Sequence, residues 1–106
     1  MSAPEQPRLA VLISGRGSNL QAFIAARDRG ELAAQISLVI SNNPGAAGLQ
    51  HATAAGLATR CINHRDYPSR EAFDHALVDE LRASAIDLVI LAGFMRILTP
   101  VLIEPY

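Results

Sequence analysis

The sequence predicts an α/β fold: a Rossmann-like parallel sheet of four strands, in the order 3-2-1-4, with helices on both faces. Three observations carry that prediction. Four short apolar runs recur: Leu9–Ile13, Ile36–Ile40, Leu57–Ile62 and Leu88–Ala92. The second and fourth are nearly continuous in valine, isoleucine and leucine, the composition of strands covered on both faces. Helical periodicity fills the stretches between the runs, and strands alternating with helices imply a parallel sheet with right-handed crossovers.

The elements follow in order. Ser18–Arg29 places Leu20, Phe23 and Ile24 on one helical face. The alanine-rich stretch between Pro44 and Ala55 is a second helix, with Asn43 as its expected N-cap and Pro44 at its first position. Gly56 is the expected C-terminal stop. Ser69–Ser84 carries Phe73, Leu77 and Leu81 as an i, i+4, i+8 stripe. The order 3-2-1-4 makes strands 1 and 4 neighbours where the chain's direction across the sheet reverses. Ligands bind there, beyond the carboxyl ends of the strands. The loops that emerge at that point are Ser14–Asn19 and Gly93–Leu98.

Composition narrows the class. The 106 residues make one domain, able to bury about two-thirds of its unfolded surface. Half are hydrophobic and 18% charged, which excludes a disordered chain. A net charge of −1 gives no sign of nucleic-acid or membrane partners. The apolar runs are too short to span a bilayer. Every basic residue is arginine, so no mechanism here uses a lysine. Cys61 is the single cysteine, which excludes an internal disulfide and fits a reducing, cytoplasmic location. Residues 1–7 are polar and broken by proline; they are expected to form a flexible tail, leaving 8–106 as the domain.

The stretch Leu12–Leu20, LISGRGSNL, is the strongest local signal. Gly15 and Gly17 permit positive φ and close approach of a ligand to the backbone. Ser18 and Asn19 open a helix whose free N–H groups favour an anion. A dinucleotide fingerprint would have a third glycine where Leu20 stands and an acidic residue after strand 2, where Ser41-Asn42-Asn43 stands. Walker A would need a lysine. A single phosphate, as on a mononucleotide or sugar phosphate, fits better. A plain turn fits too: Ser18 and Gln21 have the spacing of a capping box, which needs no ligand. Arg16 reads as a solvated residue.

The second loop, Gly93-Phe-Met-Arg-Ile-Leu98, is apolar where polar contacts are expected. It suits either a pocket for a flat heterocycle or core filling beneath the next segment. The three histidines offer no catalytic pairing. His51 and His75 fall on helices, and Asn63-His64 follows strand 3, away from the crevice. No Ser/His/Asp set and no metal-ligand spacing appears, so no metal is expected.

Taken in order, SGRGSNLQA, SNNPGAAGL, HRDYPSREAFD and DLVILAGFMRIL resemble the phosphoribosylglycinamide formyltransferase family from Leu9 to Tyr106. The resemblance implies the formyltransferase fold and a cytoplasmic enzyme of de novo purine biosynthesis. That enzyme transfers a formyl group from 10-formyltetrahydrofolate, its co-substrate, to glycinamide ribonucleotide. It implies that Gly17, Ser18 and Asn19 bind the substrate phosphate, and that Arg70, Met95, Arg96, Ile97 and Leu98 bind the folate. It places the family's catalytic Asn-x-His and Asp beyond Tyr106, so this chain is expected to hold no catalytic residue and to be inactive alone. A sheet edge exposed along strand 4 would then favour homodimers or aggregation. The alternatives are a non-enzymatic mononucleotide-binding module, or another folate-dependent formyltransferase or deformylase.

Overall fold

The computed structural model describes residues 6–32, 34–94 and 99–103. The four strands are β1 (Arg8–Ile13), β2 (Gln35–Ser41), β3 (Thr59–Cys61) and β4 (Leu88–Leu91). The helices are α1 (Ser18–Asp28), α2 (Ala47–Ala54), α3 (Arg70–Ala83) and α4 (Pro100–Ile103), with a 3₁₀ turn at His64–Asp66. The strands form one parallel sheet in the order β3-β2-β1-β4, as the alternation of elements predicts. β1 lies centrally, paired with β2 on one side and β4 on the other.

Successive residues of β1 point to opposite faces of the sheet, and both faces are buried. Ala10 and Leu12 join the cluster made with Phe73, Leu77 and Leu81 of α3 and Leu102 of α4. Val11 and Ile13 join Leu20 of α1 and Ala52 of α2 on the other side. Helices therefore cover both faces, and the Phe73–Leu81 stripe is the buried side of α3. Ser69 starts that helix by accepting from the Ala72 N–H at 3.1 Å. Gly56 ends α2 at φ 77°, with Leu57 N–H returning to the Ala52 carbonyl at 2.9 Å.

Three expectations need correction. Among the described residues β4 lies at the edge of the sheet, as expected, but its burial is only partial: Val89 and Ile90 pack against the cores on opposite faces, while Leu88 and Leu91 are 51% and 50% exposed. α2 begins at Ala47, with Ala46 at the N-cap and no side-chain cap. Asn43 instead makes a local turn, its Oδ1 accepting from the Gly45 N–H at 3.0 Å, and Pro44 lies inside that turn. The run Leu57–Ile62 yields only a three-residue strand.

Candidate functional site

The site starts where β1 stops. After Ile13 the chain bends through Ser14, Gly15 and Arg16 and enters α1 at Gly17. Of the two glycines only Gly17 adopts a positive φ, 77°. Its carbonyl takes the first α-helical bond, from Gln21 N–H at 2.8 Å. The proposed capping box does not form. Gly17 occupies the N-cap, so Ser18 already lies within the helix, and no side chain caps the first turn. The Gln21 amide instead reaches the His51 ring on α2, at 3.1 Å to Nδ1.

The loop is pinned from below by α2. The Gly48 N–H donates to the Gly15 carbonyl at 3.0 Å. A Cβ on Gly17 would lie 2.6 Å from the Gly48 Cα, and one on Gly48 would lie 2.5 Å from the Ile13 Cδ1. Gly48 thus supplies, from another helix, the close packing that a third glycine gives in a dinucleotide fingerprint. Spacing within LISGRGSNL holds no trace of it; the second glycine of SNNPGAAGL is its sequence signal. Gly15 differs: a Cβ there would meet nothing within 4 Å.

The predicted meeting of two loops occurs. Ser14, Gly15, Arg16, Gly17, Ser18 and Asn19 line a cavity of about 220 Å³ together with Ala92 and Gly93 from the end of β4. Ala92 is held by its N–H bond to the Leu12 carbonyl at 2.9 Å, and Gly93 turns the chain at φ 75°. Ser18, Asn19 and Arg16 are exposed at the mouth.

The folate candidates divide. Met95, Arg96, Ile97 and Leu98 lie outside the described residues. Phe94, just before them, packs as core, its ring stacked on Phe73 at 6.4 Å and 10°. Arg70 is exposed at the first position of α3, one turn before Phe73, and lines neither the loop cavity nor its neighbour. Asp74, fully buried on α3, was not foreseen as functional. It accepts from the Thr99 N–H at 2.6 Å and the Thr99 hydroxyl at 2.8 Å, fixing the approach to α4.

His64 does not line the crevice, in line with its place after β3, but it is tied to the glycine loop through Asn42: Ser14 Oγ donates to Asn42 Oδ1 at 2.6 Å, and Asn42 Nδ2 lies 3.1 Å from His64 Nδ1. Buried Asn42 occupies the place after strand 2 where a ribose-binding acid would stand, and its amide is used to join the two loops. A second cavity of about 380 Å³ opens there, lined by Ser14, Asn42, Asn43, Pro44, Asn63, His64 and Arg65. His51 and His75 are exposed, as expected of helix-surface residues. Burial, and then the Asp66 carboxylate, push the Cys61 thiol upward, which makes it a poor nucleophile near neutrality.

An open parallel sheet whose glycine loop and β4 loop enclose a crevice at the switch point defines a doubly wound α/β domain. Comparison with known proteins gives the family. A family model described as formyl transferase matches residues 7–106. The chain belongs to the formyl transferase family. The phosphoribosylglycinamide formyltransferase of Escherichia coli strain K12 is 45% identical over 98 residues, covering 92% of this chain and 46% of that one. The human trifunctional purine biosynthetic protein adenosine-3 is 52% identical over 95 residues, covering 90% of this chain and 9% of that one. Among solved structures, glycinamide ribonucleotide transformylase 1 from Geobacillus kaustophilus matches with a TM-score of 0.93 at 37% identity, covering 96% of this chain and 54% of that one. This chain spans about half the length of these two bacterial proteins.

Proposed function

We propose that this chain supplies the phosphate-binding loop, and part of the folate pocket, for formyl transfer from 10-formyltetrahydrofolate to glycinamide ribonucleotide in purine biosynthesis. The observation that carries the reading is the start of α1. Its first N–H groups have no side-chain cap, and they stand at the mouth of a crevice whose loop is fixed by Gly48. Uncapped N–H groups and the helix dipole together favour an anion, by roughly 0.3–1 kcal/mol from the dipole at an exposed site. The absence of any demand for glycine at position 15 within the protein itself supports the same reading: an open Gly15 leaves room for a ligand. The names of the relatives favour glycinamide ribonucleotide as the acceptor and a formyl-folate as donor.

In this reading Gly17, Ser18 and Asn19 hold the phosphate, and Arg70 with residues 95–98 holds the folate. The formyl group is supplied by the folate; this chain's residues bind and orient. A cytoplasmic location suits such an enzyme, and among the described residues no helix is long and apolar enough to cross a membrane. The exposed Leu88 and Leu91 support self-association along β4, for which a concentration-independent monomer in sedimentation would be contrary evidence.

The test is a titration of the isotope-labelled chain with glycinamide ribonucleotide. The amides of Gly17, Ser18 and Asn19 are expected to shift most. Shifts elsewhere with these three unmoved would overturn the phosphate assignment. A second titration, with folate, is expected to perturb Arg70.

A further inference from the structure

We propose that the cavity at the carboxyl ends of β2 and β3 is a second anion-binding site, adjoining the glycine loop at Ser14, taking a small phosphate- or carboxylate-bearing molecule. The argument is the chemistry of its wall. Asn43 Oδ1 accepts from the Gly45 N–H and Asn63 Oδ1 from the Arg65 N–H, each at 3.0 Å. With each amide oxygen held by backbone, the NH₂ group of each is left for other partners. Among the described residues neither amide nitrogen makes a hydrogen bond, and the Arg65 guanidinium makes neither a hydrogen bond nor an ion pair.

His64 Nδ1 lies 3.1 Å from Asn42 Nδ2 and 3.3 Å from the Asn42 carbonyl oxygen, so this ring nitrogen is engaged with Asn42. The lining thus offers two amide NH₂ groups and a guanidinium. No aspartate or glutamate lines it; the nearest in sequence, Asp66, is exposed and outside the wall. Amide donors around one arginine match an anion and suit a cation poorly. A cavity of about 380 Å³ admits a molecule larger than a bare phosphate.

The experiment titrates the labelled chain with sodium phosphate and, separately, sodium succinate, with sodium chloride as the ionic-strength control. The side-chain NH₂ signals of Asn43 and Asn63 are read against the backbone signals of Gly17, Ser18 and Asn19. Either anion moving the two side-chain signals supports the site, and the one that moves them more identifies the class. Arg65→Ala is expected to weaken that response about tenfold. Asn63→Asp keeps the oxygen that accepts from Arg65 N–H but replaces the donor by a carboxylate, so it is expected to abolish the response with the melting temperature little changed. The Gly17–Asn19 response to phosphate is expected to persist in both variants. Side-chain signals unmoved by either anion, or unchanged responses in Asn63→Asp, would overturn the proposal. Loss of the Gly17–Asn19 response alone would count against the glycine-loop assignment and leave this one standing.

Discussion

At the start of α3, Ser69 Oγ accepts from the Ala72 N–H, and the helix closes its own first turn. At the start of α1 the equivalent residue is Gly17, which has no side chain to offer. Both helices leave β-strand layers at the same sheet edge, and both face the same shortage of partners for their first N–H groups. One meets it internally and gains stability. The other leaves the groups at a crevice, where a ligand can use them. α2 shows a third solution: it too lacks a side-chain cap, but the Gly48 N–H is taken by the Gly15 carbonyl. The difference teaches that a missing cap is informative only when no other part of the chain satisfies the same donors.

The comparison can be broken most severely at Gly17. Gly17→Ala places a Cβ 2.6 Å from the Gly48 Cα, backbone against backbone, at a φ that L-residues resist. The left-handed backbone alone costs about 1–2 kcal/mol, and relief of the clash adds to it. A stability loss of about 3 kcal/mol in urea unfolding is expected, within the usual range for strained sites. A wild-type midpoint would show that the Gly17–Gly48 contact yields easily.

A matched pair of serine variants sharpens it. Ser69→Ala is expected to cost about 1 kcal/mol of stability, the usual value of an N-cap. Ser18→Ala is expected to leave stability within about 0.5 kcal/mol, as for a surface site, while weakening ribonucleotide binding. Equal stability losses for the two would mean that Ser18 acts as a cap after all. The smallest effect on folding belongs to Gly15→Ala. Its Cβ meets nothing, so stability should hold or rise by about 0.4–1 kcal/mol through the unfolded chain. Its affinity for the ribonucleotide should fall, because the methyl group enters the space left for the ligand. Unimpaired affinity would place the phosphate elsewhere.

These residues also show what sequence could and could not convey. The sheet order was legible because alternation of elements and crossover handedness leave few topologies, and β1 meets β4 as that order requires. The meeting of Ser14–Asn19 with Ala92 and Gly93 followed from the same topology. The partial burial of β4 was not legible because apolar composition is local: Val89 and Ile90 reach the two cores while Leu88 and Leu91, of the same residue class, stay exposed. Asn43-Pro44 carries a true turn signal, but the cap and the turn use the same residue types, and here the turn prevails. Gly48 and His64 were illegible for a different reason. Their roles arise from contacts with residues far along the chain, Gly17 and Ser14–Asn42, and no spacing rule reaches that distance.

The pinning of Gly15 and Gly17 by Gly48 has a consequence for the time and disorder of binding. A free glycine-rich loop loses conformational entropy when a ligand stills it, at about 1–2 kcal/mol per residue ordered. Here much of that loss has already occurred during folding, when the α2 backbone docks beneath the loop. A phosphate bound as proposed would therefore meet a surface that is already arranged, and more of the contact free energy would remain as affinity. Encounter need not wait for the loop to close, so association should approach the rate set by diffusion and orientation.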